Sequence, residues 1–200
     1  MTSILLIVTG YISYRAFNDP SFLDKLKHYP YAEKTRGEWY RLLTCGFVHG
    51  NWTHLLINMF VLWTFGEYVE QQIRILFPAT GMWIYLGIYL AVIVLANIPT
   101  SFREQDNPYY AAVGASGAIS GLVFIFILFN PWAKLYLYFI LPIPGIVAGI
   151  LYLVYSVWAS KNSRDGIDHY AHFYGAIWGV ILMILIQPEV LNQFIIRLLN

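Results

Sequence analysis

The run from Gly81 to Asn97 is almost purely apolar and carries no charged side chain. A chain with several runs like it has few ways to fold. Surrounded by lipid, each backbone N–H and C=O must be satisfied within its own segment, and the α-helix is the simplest solution. Comparable runs begin near residues 3, 52, 115, 145 and 169. Composition agrees. The 200 residues are 58% hydrophobic and only 12% charged, against about 25% charged in a soluble domain, and mean hydropathy is +0.57. The 7 Trp and 16 Tyr suit membrane–water interfaces. A net charge of +1 gives no footprint for nucleic acid. The single Cys45 permits no internal disulfide and matches no metal pattern. The expectation is an all-α integral membrane protein folded as one domain over residues 1–200.

Read in order, the chain predicts six spanning helices, at about 3–18, 52–74, 81–97, 115–130, 145–159 and 169–187. Residues 1–14 lack the basic start and small-residue cleavage site of a signal peptide, so they read as a span. Asn18 to Gly50 is the longest polar stretch, but its second half (Trp39, Tyr40, Leu42, Leu43, Phe47, Val48) is too apolar for a solvated linker. It predicts a folded first loop partly embedded in the membrane. Asn51 is a candidate N-cap for the second helix, and Glu70–Arg74 is an i,i+4 pair near its end. Asn97-Ile98-Pro99 ends the third helix and opens a polar loop at 99–113. The fourth helix is short, ~23 Å at 1.5 Å per residue, against a hydrocarbon core of ~30 Å, so one of its ends lies below the membrane surface. Pro142 and Pro144 make 132–143 an interfacial connection, Ser160 to Asp168 is a polar loop, and Pro188 precedes an amphipathic tail. No repeat or low-complexity segment is visible.

Polar residues inside these runs cluster at three helix heads: His54 and Asn58, then Ser116, then His172. Successive spans alternate in direction, so the second, fourth and sixth helices start on the same side of the membrane. Gly117 and Gly121 on the fourth helix, and Gly175 and Gly179 on the sixth, have the spacing that lets helix backbones approach closely. Packing those faces together brings Ser116 beside His172. A serine hydroxyl attacks only when a base takes its proton, and a histidine is suited to that task. No Asp or Glu lies inside an apolar core, so the reading is a Ser–His dyad without a buried acid. His54 and Asn58 share one helix face and can both donate to an oxyanion. Taken singly, each of these residues more often only joins helices. A zinc site built from His49, His54, His169 and His172 lacks a His-Glu-x-x-His segment or accompanying carboxylates and thiols.

Four segments together resemble the rhomboid family of intramembrane serine proteases. Gly37-Glu38-Trp39-Tyr40-Arg41 resembles its first-loop motif, with Tyr40 where the family often has tryptophan. His49-Gly50-Asn51-Trp52-Thr53-His54-Leu55-Leu56-Ile57-Asn58, continued by Gly66 and Glu70, resembles its second-helix signature. Gly114-Ala115-Ser116-Gly117 is similar to its nucleophile motif, and Ala171-His172-Phe173-Tyr174-Gly175, followed by Gly179, to its sixth-helix motif. The resemblance implies a six-transmembrane-helix rhomboid-like bundle, with Ser116 as nucleophile, His172 as general base, and His54 and Asn58 stabilising the oxyanion. It implies transmembrane protein substrates cut in the lipid bilayer, no cofactor, no metal and no nucleic acid. It also implies a cap and gate formed by 160–168 and the fifth helix, and a multi-pass protein of the plasma or inner membrane with both termini cytoplasmic. The chain departs from the family twice. Ser120 stands where an aromatic ring often stacks on the histidine. Of 12 Lys and Arg, only Arg74, Lys134 and Arg197 fall near the cytoplasmic side, contrary to the usual positive-inside bias. Two rivals remain: a non-catalytic rhomboid-like chaperone or adaptor that binds membrane helices, and a small transporter, for which charged residues at mid-membrane would be the sign.

Overall fold

A computed structural model of the chain describes residues 1–137, 140–163 and 165–199. The first helix, α1 (Thr2–Asn18), leads into three short helices, α2 (Pro20–Leu26), α3 (Pro30–Arg36) and α4 (Arg41–Thr44), and a 3-10 turn at Cys45–Phe47. A continuous helical stretch follows: α5 (Trp52–Val61), a π segment at Leu62–Gly66, and α6 (Glu67–Leu76). Then come α7 (Gly81–Glu104), α8 (Ser116–Phe129), a hairpin of β1 (Lys134–Leu137) and β2 (Leu141–Pro144), α9 (Gly145–Asn162), α10 (His169–Ile186) and α11 (Glu189–Leu199).

The first loop is folded because its polar groups are used locally. The Asp19 carboxylate accepts the backbone N–H groups of Ser21 and Phe22, with Pro20 at the first turn of α2. Arg41 is buried and gathers the loop around itself. Its guanidinium donates to the carbonyls of Asp24 (2.6 Å) and Lys27 (3.1 Å) and to the Glu38 carboxylate (2.6 Å), with the Tyr29 and Tyr40 rings beside it. A planar, permanently charged fork suits such a hub better than an ammonium. Arg41 is therefore a structural anchor for the loop.

The core sits where α7, α8 and α10 meet. Tyr85, Tyr89, Val92 and Ile93 of α7 pack with Leu122 and Ile125 of α8 and Met183 of α10. α7 and α10 are long and apolar enough to cross a membrane; α8, with 14 residues, is ~21 Å long. The outer surface is covered with large apolar side chains, among them Ile7, Leu56, Trp63, Trp83, Val154 and Leu185. Patches this extensive mark a surface that something apolar covers.

Three sequence expectations change. Pro99 does not end the third helix, which runs on to Glu104 with Pro99 inside. A proline removes one ladder hydrogen bond, but Ala96, Asn97, Thr100 and Ser101 around it are all buried, and that packing carries the helix through. The 132–143 connection contains a hairpin, with Lys134 opposite Pro144 and Leu137 opposite Leu141. Glu70 is a carboxylate inside the bundle, where none was expected. It accepts from the Thr2 N–H (2.7 Å) and hydroxyl (2.9 Å), and Arg74 stands 3.8 Å away.

Candidate active site

Ser116 is the first residue of α8, and the turn before it is fixed from several directions. Gly114 has φ +123°, a conformation other residues rarely adopt, and a Cβ there would lie 2.7 Å from the His54 ring. The Gly114 N–H donates to the Cys45 carbonyl at 3.0 Å. The Ala115 N–H points at His49 Nε2, 3.5 Å away. His49 Nδ1 is 2.9 Å from the Ser13 hydroxyl, which also lies 3.0 Å from the Phe47 carbonyl. Since a carbonyl can only accept, Ser13 donates to Phe47, His49 donates from Nδ1 to Ser13, and His49 Nε2 is left to accept from Ala115. The fully buried His49 thus ties α1 to the turn that presents Ser116. The sequence offers His49 as a candidate zinc ligand and as part of the second-helix resemblance, but nothing in its spacing reveals Ser13 or Ala115 as partners.

α10 delivers the second group. His172 Nε2 is 2.7 Å from Ser116 Oγ. The approach depends on the expected glycine pairs. A Cβ on Gly175 would sit 2.0 Å from the Gly117 carbonyl oxygen, and one on Gly179 would sit 2.5 Å from Gly121 Cα. The α8 and α10 backbones are in direct contact there. With a hydroxyl donating to Nε2, the ring proton is on Nδ1, the tautomer that general-base chemistry at Ser116 needs.

No carboxylate hydrogen-bonds His172 among the described residues. Asp168 caps α10 through the Ala171 N–H and accepts from Thr100 Oγ1. Asp165 meets His169 instead, its Oδ2 3.1 Å from His169 Nε2. Burial acts to raise the Asp165 pKa, but hydrogen bonds from Ser163, the Ile167 N–H and His169 outweigh it and hold the carboxyl at about 2.

The sequence-predicted donors are placed less evenly. The His54 ring lies against Gly114, one turn of chain from the Ser116 hydroxyl. Asn51 caps its helix as expected, accepting the His54 N–H at 2.8 Å. Asn58 is buried, and its amide donates to the His54 carbonyl (2.8 Å), which leaves its second N–H for any other acceptor. Spaced i,i+4, the two share one face of α5.

Ser120 hydrogen-bonds the Ser116 carbonyl at 2.8 Å and the Tyr152 hydroxyl at 2.5 Å. The Tyr152 ring stacks on His172, with centroids 6.3 Å apart and planes inclined by 20°. The sequence left open what holds the imidazole when position 120 is not aromatic; a ring from α9 stands there. One Tyr among 16 in an apolar run gave no sign of this.

Among the described residues no three His, Cys, Asp or Glu side chains gather as metal ligands. His49 pairs with His54, and His169 with His172, ring against ring. What the arrangement provides is a hydroxyl in contact with an imidazole, at a helix N-terminus whose unpaired N–H groups and dipole favour developing negative charge.

The family model for the rhomboid domain matches residues 36–189, a span that holds every residue just described except Ser13. Among curated proteins, the chain is similar to the rhomboid-like protein 11 of Arabidopsis thaliana chloroplasts, with 32% identity over 161 residues, 74% of this chain and 53% of that protein. It is similar to the putative rhomboid protease YdcA of Bacillus subtilis, with 34% identity over 91 residues, 46% of this chain and 41% of that one. It is also similar to the rhomboid protease GluP of the same organism, with 38% identity over 86 residues, 43% of this chain and 15% of that one. The chain spans about half the length, or less, of these relatives.

Proposed function

Since the chain belongs to the rhomboid family, whose members are integral membrane proteins, we propose that it is an intramembrane serine endopeptidase. In this reading it hydrolyses peptide bonds in or next to transmembrane segments of other membrane proteins through a Ser116–His172 dyad. The observation that carries the reading is the 2.7 Å contact between His172 Nε2 and Ser116 Oγ at the head of α8.

The steps follow from the geometry. His172 takes the hydroxyl proton as Ser116 Oγ attacks the scissile carbonyl carbon. In this reading the carbonyl oxygen becomes an oxyanion that the Ser116 N–H, the His54 ring and the second N–H of Asn58 stabilise. His172, now an imidazolium, gives its proton to the leaving amine. Water then attacks the acyl-enzyme ester with His172 again as base, releasing the acid and the free hydroxyl. No metal, cofactor or nucleic acid takes part in these steps.

The same reading gives the architecture its purpose. Residues 1–200 form one domain of six spans: α1, α5 to α6, α7, α8, α9 and α10. The first loop lies partly in the membrane, and both termini are cytoplasmic. The short α8 sets Ser116 below the surface, where water reaches it from above. α9 and residues 160–168 gate the approach of a substrate helix, which must unwind locally, because a helical peptide bond is shielded from attack.

The test is cleavage of a transmembrane reporter in liposomes, with Ser116→Ala and His172→Ala as comparisons. Both substitutions should abolish cleavage and fluorophosphonate labelling while leaving the fold intact. A wild-type chain that neither cleaves several reporters nor takes the label would instead support a non-catalytic, helix-binding relative.

A further inference from the structure

The protease reading leaves Tyr152 without a role, although it touches both the base and the helix of the nucleophile. Its hydroxyl is 2.5 Å from Ser120 Oγ, and Ser120 is 2.8 Å from the Ser116 carbonyl. The direction of these bonds follows from proton count. The Ser116 carbonyl can only accept, so Ser120 spends its one proton there, and Tyr152 is the donor to Ser120. A directed chain therefore runs from Tyr152 through Ser120 to the backbone of the nucleophile. Above that anchor the Tyr152 ring covers His172 at 6.3 Å and 20°, within the range of offset stacking. The Phe124 ring of α8 also packs against it, with centroids 5.9 Å apart. Moving the ring away from His172 breaks the hydroxyl bond to Ser120.

Tyr152 comes from α9, not from either helix of the dyad. α9 is fastened at its start, where the Gly145 and Ile146 N–H groups donate to the Ala133 and Pro131 carbonyls. A Cβ on Gly149 would meet Phe124 and Ile127 of α8, so α9 is closely seated there. Its outer face, with Ile150, Leu151, Val154 and Trp158, is exposed. We propose that Tyr152 is a positioning residue for His172, held by Ser120, so that the imidazole is aligned on Ser116 only while α9 is seated against α8. The ring keeps Nε2 pointed at the hydroxyl and offers its negative face to the imidazolium that forms as the proton transfers. Displacing α9 removes the ring and with it the alignment of the base. A substrate that parts α9 from α8 is therefore cut only after α9 closes again.

This inference rests on the serine-protease reading, and the experiment separates the two. Steady-state cleavage of a transmembrane reporter and the rate of fluorophosphonate labelling at Ser116 are measured for the wild-type chain, Tyr152→Phe, Tyr152→Leu, Ser120→Ala and the Ser120→Ala/Tyr152→Phe double variant, with thermal unfolding alongside. Tyr152→Leu should lower kcat ~10–100-fold, the scale of a misplaced catalytic group, with KM within about twofold and labelling slowed by the same factor as kcat. Tyr152→Phe keeps the ring and should recover most of that loss. Ser120→Ala and Tyr152→Phe remove two ends of one bond, so the double variant should be no worse than the poorer single variant. Tyr152→Leu with unchanged kcat and labelling, or with losses confined to KM or to unfolding temperature, overturns the positioning role and leaves the protease reading standing. A wild-type chain that neither cleaves nor labels overturns both.

Discussion

At the scale of single residues, the site depends on two kinds of contact that respond differently to substitution. Asn58 already spends one N–H on the His54 carbonyl, so only the other is available to an oxyanion. Asn58→Ala should lower kcat by the ~10²–10³ typical of one lost oxyanion donor, without abolishing cleavage, as reporter kinetics would reveal; an unchanged kcat would remove Asn58 from the mechanism. The glycines act by having no side chain. Gly175→Ala would place a methyl 2.0 Å from the Gly117 carbonyl oxygen, backbone against backbone, with nothing flexible to give. Forcing α8 and α10 apart should cost at least the ~1–3 kcal/mol of an overpacked core and separate Ser116 from His172. Gly87→Ala is the contrasting case. A Cβ there meets nothing within 4 Å, so better helix propensity should stabilise α7 by up to ~1 kcal/mol. Thermal unfolding of the two variants in one detergent would test the opposite signs.

At the scale of elements, what could be read from the sequence was what depends on pattern. Apolar period and length located α1, α5 with α6, α8, α9 and α10 to within a few residues, and α7 at its start but not at its end; the side-chain amide of Asn51 marked the start of α5. Direction alternating along the chain, together with two pairs of glycines, was enough to bring Ser116 to His172. What could not be read depends on partners distant in the chain. Pro99 looks like a stop because its own neighbours are all that a sequence displays, whereas its tolerance comes from packing across the bundle. Gly66, the last residue of the π segment, leaves room for Tyr85, whose hydroxyl would be 2.7 Å from a Cβ there. Arg41, His49 and Tyr152 likewise have roles set by groups brought in from elsewhere. The first loop adds a testable example. Glu33 of α3 is buried, and its carboxylate accepts from Ser101 of α7 at 2.7 Å, with His28 3.4 Å away. Burial acts to raise its pKa, but the His28 imidazole, then Ser101 and the Tyr29 N–H, outweigh it and hold the carboxyl below the ordinary glutamate range. A folded value lower than the unfolded ~4.3 means that ionised Glu33 stabilises the loop fully above that pH. The contribution is lost as pH falls through the folded value. Hydrogen exchange in α3 should therefore accelerate on acidification below about pH 4.3, and Glu33→Gln should flatten that dependence; an α3 whose exchange ignores pH in both forms would show that the pair does not anchor the loop.

At the scale of the whole molecule, in the proposed topology the unequal helix lengths decide how the site meets water. α7 has 24 residues and is ~36 Å long at 1.5 Å per residue, enough to cross a ~30 Å core with some tilt. α8 has 14 and is ~21 Å long. With the Phe129 end of α8 near one interface, Ser116 lies ~9 Å short of the other. That gap sits on the side occupied by the first loop. The loop also carries much of the chain's positive charge, which by the usual bias would hold it in the cytoplasm. Here, however, several of those groups are paired within the fold. Lys27 meets Asp24 at 2.6 Å, Lys34 meets Asp106 at 2.6 Å, and the buried Arg41 meets Glu38 at 2.6 Å. Each such pair leaves one cation fewer to meet anionic lipid, which weakens the force that would retain the loop. The proposed topology, with the first loop outside and the termini in the cytoplasm, then gives a sided prediction. In sealed vesicles of known orientation, a membrane-impermeant fluorophosphonate should label Ser116 when the outer face is exposed and fail when the cytoplasmic face is exposed, until detergent is added. Labelling from the cytoplasmic face alone would invert the topology while leaving the dyad in place. Labelling from neither face before detergent would mean that the gap above α8 is closed to water and that reagents reach Ser116 only through the lipid.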